Sequence, residues 1–212
     1  MHVTRDTYEF EEMKEALENI EWDDIWRQDA NAAGKKRILV IGDSISRGYR
    51  NLLIDKIGEE YAVDNIATSK AADNAQFLTL LDYMKQQSPD YAAVQFNNGL
   101  HGWHLSQDAY QNGYLKIVRY IKSLYPQARL LLALTTPLRE AGNLSSLAER
   151  NALVAGRNRA AKEIAGMENA DIIDLYQVIE NRFDLYQPDG VHLCEEGYEL
   201  LAEECAGKYR KE

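Results

Sequence analysis

Residues 37–50 read RILVIGDSISRGYR, and the fold turns on how they are read. RILVIG (37–42) is a continuous apolar run of strand length that ends on glycine. Asp43 and Ser44 follow at once, and apolar positions then recur at helical spacing over 46–58. A buried strand that runs straight into a helix is the first half of a β-α-β unit. Ser44 then has two readings. Either Asp43 and Ser44 only cap the helix, or Ser44 is a nucleophile held at the lip of a sheet.

The alternation continues along the chain. Strands are expected at 61–67, 91–97, 128–134 and 170–176, and helices at 73–87, 106–124, 147–166 and 195–208. Short, continuously apolar strands between helices imply a parallel sheet covered on both faces. The expected fold is α/β, a flavodoxin-like three-layer α/β/α sandwich on a five-stranded parallel sheet. Ahead of it, apolar positions at helical spacing over 8–26 predict an N-terminal helix, and NAAGKK (31–36) reads as a linker. The chain thus divides into a helical extension, 1–34, and a main domain, 35–212. Trp22 and Trp26 are four apart, so one helix face carries both. Core packing is the expected use, and a sugar-stacking platform is the sharper alternative.

With 212 residues the chain supports one sizeable core. A net charge of −10 argues against a nucleic-acid backbone or an anionic membrane surface as partner. No run reaches the roughly 18 apolar residues of a membrane span. The N-terminus lacks an apolar core of signal-peptide length, so a cytoplasmic protein is expected. Cys194 and Cys205 fall about three turns apart on one expected helix, beyond disulfide reach. Both read as reduced packing residues.

In an open parallel sheet, ligands bind at the carboxyl ends of the strands. Four segments share that edge: Ser44, the Ser69-Lys70 loop, Asn97-Asn98, and QPDGVHL (187–193). A serine hydroxyl needs a base, usually histidine. Of the four histidines, His2 is terminal, and His101 and His104 lie in the loop GLHGWH (99–104). His192 sits at the expected edge, three residues after Asp189, with Gly190 permitting a tight bend. That spacing can set a carboxylate against the imidazole and fix its tautomer. Taken alone, the pair also fits a helix N-terminal turn with incidental polar residues. A developing oxyanion needs donors. The candidates are the Ser44 N–H, an amide of Asn97 or Asn98, and a backbone N–H at Ser69 or Lys70. The asparagines also fit plain turn chemistry.

GDSIS after the first strand, an asparagine ending the third, and DGVH before the last helix together resemble the SGNH (GDSL-like) hydrolases. These are flavodoxin-like serine esterases and lipases, many acting on acetylated carbohydrates. The resemblance covers about residues 37–210. It implies Ser44 as nucleophile, His192 as base, Asp189 as its partner, Asn97 or Asn98 as an oxyanion donor, and no cofactor. Two blocks depart from the family pattern. Lys70 stands where a glycine is usual, and the usual G-x-N-D block reads FNNGLHG. Asn97 is the favoured donor, because it comes directly off the strand at Phe96.

His101 and His104 lack a third ligand at recognisable spacing, so no metal site is expected. Their loop, with Trp103 as an apolar wall, is expected to shape the substrate pocket. Arg47, one turn beyond Ser44, would meet either an acidic substrate or a surface carboxylate. GDSIS is a near miss to the G-x-S-x-G elbow, but Ser46 replaces the second glycine and the acid and histidine share one turn. A binding module that holds an anion at the helix start, or a degenerate hydrolase, is the alternative of a different class. The expected function is a serine esterase that cleaves short-chain acyl esters through an acyl-enzyme. Acetyl is the expected acyl group, and sugar esters fall within range. Its partner is a small-molecule ester, with no nucleic acid and no membrane.

Overall fold

In the computed structural model, which describes residues 17–32, 34–88 and 90–210, alternate residues of one strand divide the core in two. That strand is β2 (Lys36–Gly42). Its side chains point to opposite faces in turn. Ile38 and Val40 pack with residues of α1 (Ser44–Ile57), α5 (Leu175–Ile179) and α6 (Glu195–Tyr209). Leu39 and Ile41 pack with residues of α2 (Gln76–Gln87), α3 (Gln107–Leu124) and the later turns of α4 (Asn151–Glu168). A strand buried on both faces has no polar side, which is why RILVIG reads as an unbroken apolar run.

The main sheet has six strands in the order β1-β3-β2-β4-β5-β8. They are β1 (Asp23–Arg27), β3 (Tyr61–Thr68), β4 (Ala93–Phe96), β5 (Arg129–Ala133) and β8 (Asp171–Ile173), with β2 near the centre. The five from β2 onward are parallel, as expected, in the flavodoxin-like order. The sixth, β1, is a correction: it runs antiparallel along β3 and pairs Asp23 with Thr68 and Arg27 with Asp64.

The helix expected over 8–26 is therefore not found in its second half. Residues 8–16 lie outside the described part, residues 17–22 are not helical, and 23–27 form β1. The cause is a shared period. Residues four apart lie on one face of a strand as well as of a helix, so the two tryptophans could not separate the alternatives. The free edge of β3 decides it. Trp26 is 44% exposed, with the Arg50 guanidinium 4.5 Å above its ring, while Trp22 lies ahead of the strand near Arg47. Core packing is thus not what the tryptophans share. β1 also brings Arg27 within 3.6 Å of Asp64, a fully buried carboxylate already held by Arg37 and the Tyr91 hydroxyl.

Several boundaries also move. The helix expected from 147 starts at Asn151, because a hairpin of β6 (Arg139–Glu140) and β7 (Asn143–Leu147) fills the connection. The strand expected to reach 176 stops at Ile173, where Asp174 caps α5 by accepting the Gln177 N–H. Helix α1 begins two residues early, at Ser44. Among the described residues no helix is long and apolar enough to cross a membrane.

Register then places the loops. Gly42 lies beside Ala67 and Ile41 beside Phe96, so β2, β3 and β4 end level. Asp43-Ser44, Ser69-Lys70 and Asn97-Asn98 leave the sheet side by side.

Deleting residues 1–28 removes the β1 ladder and leaves Asp64 without Arg27. A loss of 2 kcal/mol or more would lower the Tm by about 5 °C or more in a chain of this size. Calorimetry of the truncated protein checks this, and an unchanged Tm would mean that the β1–β3 ladder adds no stability.

Candidate active site

The two readings of the opening stretch divide between two residues. Asp43 is the cap: its Oδ1 accepts the Ile45 N–H at 2.9 Å, and its carbonyl accepts the Ser46 hydroxyl at 2.8 Å. With the cap supplied, the Ser44 hydroxyl is left for other work. It lies 2.9 Å from His192 Nε2. His192 Nδ1 lies 2.7 Å from Asp189 Oδ2. An ionised carboxylate can only accept, so Nδ1 carries the hydrogen and Nε2 accepts from Ser44.

The turn that holds the pair is specific. Asp189 Oδ1 accepts the N–H groups of Val191 and His192, both at 2.9 Å. Gly190 has φ +73°, and a Cβ there would stand 2.2 Å from the Arg139 carbonyl oxygen. Only glycine fits. Burial pushes the Asp189 carboxyl upward, but the bonds from the His192 ring and the two N–H groups outweigh it and hold it below the usual carboxylate value. Asp43 goes the other way. Its complete burial raises it, against the nearby His101 and the Ile45 N–H, and its Oδ2 has no hydrogen-bond partner among the described residues.

The two asparagines are held differently. Asn97 Nδ2 donates to the Ala133 carbonyl at 2.7 Å and to Thr135 Oγ1 at 2.9 Å, which uses both of its hydrogens. Its side chain turns toward the end of β5. Asn98 is buried; its Nδ2 donates one hydrogen to the Lys70 carbonyl at 2.8 Å, and the other has no partner among the described residues. The preference for Asn97 is therefore not supported by the hydrogen bonding. Of the loop N–H groups, Ser69 donates to the Trp22 carbonyl at 3.1 Å, and Lys70 to Thr68 Oγ1 at 3.1 Å. The Ser44 N–H heads α1, where first-turn N–H groups have no helical acceptor.

Trp103 carries two guanidinium groups against its ring, Arg150 at 5.4 Å and Arg157 at 4.7 Å. Arg157 is a residue that sequence reasoning missed. It is 2% exposed, and it donates to the carbonyls of Gly99, His101 and Gly102 at 2.6–3.0 Å. Burial lowers its pKa. Nothing in GRNRAAK (156–162) distinguishes it from a solvated helix face. The two loop histidines do not face each other: His101 Nδ1 meets Glu18 Oε1 at 2.9 Å, and His104 Nε2 meets Asp73 Oδ2 at 3.0 Å. Among the described residues no group of three or more His, Cys, Asp or Glu side chains is placed to hold a metal ion. The Arg47 guanidinium lies 5.1 Å above the Trp22 ring, and the His101 ring meets that indole edge-on. Cys194 and Cys205 are free, the second buried, with its thiol pushed up to about 12.

The profile of the GDSL-like lipase/acylhydrolase family matches residues 40–200, three-quarters of the chain, a range that includes Ser44, Asp189 and His192. The chain belongs to that family of ester hydrolases. Solved structures with the same fold include the lipase/acylhydrolase of Enterococcus faecalis, at 18% identity and TM-score 0.65, covering 82% of this chain and 94% of that one. An acetyl xylan esterase is similar at 18% identity and TM-score 0.66, covering 81% and 98%. A carbohydrate acetylesterase from Sinorhizobium meliloti is similar at 15% identity and TM-score 0.65, covering 82% and 98%. At such identities the likeness is one of fold. No curated protein sequence matches the chain.

Asp189 gives the site a pH signature. Its folded pKa lies below the unfolded value, so it adds stability at neutral pH that is lost as pH falls through the folded value. Asp189→Asn should therefore have a lower Tm than the parent at pH 7, and the gap should close below about pH 4, the ordinary range of an aspartate. The gap will be small, because the carboxylate is half exposed. Thermal melts of both proteins between pH 3 and 7 check it.

Proposed function

We propose that this hydrolase is a serine esterase that cleaves short acyl esters, acetyl esters of carbohydrates among them, through an acyl-Ser44 intermediate. The observation that carries this reading is the relay of Ser44, His192 and Asp189, at 2.9 and 2.7 Å.

The chemistry follows from the geometry. His192 Nε2 takes the Ser44 proton as Oγ attacks the ester carbonyl, and Asp189 stabilises the imidazolium. The carbonyl oxygen becomes an oxyanion, which the Ser44 N–H and the free hydrogen of the Asn98 amide accommodate. The tetrahedral intermediate collapses, the C–O bond to the alcohol breaks, and His192 returns its proton to the leaving alkoxide. Water then enters, gives its proton to His192, and attacks the acyl-enzyme. Collapse of the second intermediate releases the carboxylic acid and restores the Ser44 hydroxyl. Besides the ester and water, these steps use only side-chain and backbone groups of the chain.

The acetyl and sugar parts of the reading have lighter support. Two of the similar folds are a carbohydrate acetylesterase and an acetyl xylan esterase. Trp22, beside Arg47 and His101, offers an aromatic surface near the nucleophile's helix. A panel of acetylated xylan, short aryl esters and longer acyl esters tests substrate choice. Preference for the longest acyl chains would overturn the acetyl assignment.

Ser44→Ala should retain its fold by circular dichroism and lose turnover of 4-nitrophenyl acetate by roughly ten-thousandfold or more. More than a tenth of the parent kcat remaining would overturn the nucleophile assignment. Asn98→Ala should lower kcat by about a hundredfold with KM little changed, as for a donor engaged in the transition state. Asn97→Ala should act mainly on stability, through its bonds to Ala133 and Thr135. Steady-state kinetics of the two variants decide between the residues.

A further inference from the structure

The segment just ahead of β1 touches both loops that flank the proposed oxyanion site, and it lies before the region the family profile matches. Its contacts with the loop after β3 are dense. The Trp22 N–H donates to Ser69 Oγ at 2.8 Å, and the Ser69 N–H returns a bond to the Trp22 carbonyl at 3.1 Å. The Ser69 hydroxyl donates to Glu21 Oε2 at 3.0 Å. Asp23 accepts from Lys70 Nζ at 2.8 and 2.9 Å, and from the Thr68 hydroxyl at 2.6 Å. Thr68 Oγ1 in turn accepts the Lys70 N–H. Asp23, Thr68 and Lys70 therefore close a ring that fixes the turn from both its backbone and its side chains.

The loop after β4 is held from the same segment. Glu18 Oε1 meets His101 Nδ1 at 2.9 Å and the Gly102 N–H at 3.4 Å. These two loops meet at one residue. Asn98 belongs to the second loop, and its amide is oriented by the Lys70 carbonyl of the first. Lys70 stands where the family resemblance places a glycine. Its ammonium, which would otherwise be free to enter the crevice, is drawn back to Asp23, and its side chain is 6% exposed.

We infer that residues 18–23 form a strap that positions the Asn98 amide for the oxyanion, with Asp23 acting through Lys70 and Glu18 through the loop that carries Asn98. The inference rests on the esterase reading above. Asp23 and Glu18 are positioning residues: neither reaches the reacting atoms. Their effect is to narrow the range of directions open to the free amide hydrogen before substrate arrives, which is the form that transition-state stabilisation takes at a preorganised site.

The test uses the full chain, with 4-nitrophenyl acetate as substrate and phenylboronic acid as a tetrahedral probe of Ser44. Asp23→Asn and Glu18→Ala should each lower kcat by about tenfold, with KM within about twofold and probe affinity weakened by the same factor as kcat. Asp23→Glu, which keeps the charge, should recover most of the loss. In an Asn98→Ala background, Asp23→Asn should add little, because the group it positions is gone. A kcat unchanged in Asp23→Asn with only the Tm lowered, or a loss fully additive with Asn98→Ala, would overturn the strap while leaving the esterase reading intact. Should Asp23→Asn fail to fold, Lys70→Met interrogates the same link from its other end, with the same two outcomes. Absence of Ser44-dependent turnover in the parent protein would overturn the esterase reading, and the strap's role with it.

Discussion

β2 pairs with β3 and β4 in a register that sets Gly42 beside Ala67 and Ile41 beside Phe96, and the whole site hangs on that alignment. Parallel strands cannot slip by one residue without turning every buried side chain to the wrong face. Ile38 and Val40 serve one core, Leu39 and Ile41 the other, so both faces resist the slip at once. The consequence at the carboxyl edge is geometric. Ser44, Lys70 and Asn98 follow strands far apart in sequence yet leave the sheet at the same edge. The Lys70 carbonyl can orient Asn98 because the two strand ends are level on either side of β2.

What was legible in the sequence was what is local. Asp189 and His192 share one turn, and Gly190 is required there by its own backbone angle and by the Arg139 carbonyl, so the spacing alone carried the geometry. The strand-to-helix passage at Ser44 was equally local. What was illegible depends on distant neighbours. Asn97 and Asn98 differ only in which way they turn, and that is settled by the Ala133 carbonyl and Thr135 Oγ1. Gly99 permits it: a Cβ there would fall 1.7 Å from Thr135 Oγ1. The edge strand β1 was hidden for another reason. Its tryptophan spacing satisfies two periods, and the deciding fact is the unpaired edge of β3.

Arg157 shows why a burial pattern is not always a hydrophobic pattern. The loop from Gly99 to Gly102 leaves three carbonyls pointing inward. Buried carbonyls without partners are costly, and besides the Leu105 N–H on the Gly102 carbonyl it is Arg157 that meets them. One guanidinium has enough donors in a fixed fork for all three. The cation itself must then be desolvated, and the indole of Trp103 and the phenol of Tyr110, 4.7 and 4.6 Å from it, offset part of that cost. The arrangement needs no carboxylate, so the acidic side chains nearby remain available for other partners.

Those partners explain how a chain of net charge −10 can gather so many carboxylates near a site that must stabilise an oxyanion. Unpaired, Glu18, Glu21, Asp23 and Asp189 would oppose a developing negative charge. Each is instead committed to a donor: Glu18 to His101, Glu21 to Ser69, Asp23 to Lys70 and Thr68, and Asp189 to His192 and two N–H groups. The exception is one oxygen of Asp43, buried and unpartnered. Burial raises that carboxyl, against the pull of His101 and the Ile45 N–H. The same residue caps α1 through its other oxygen.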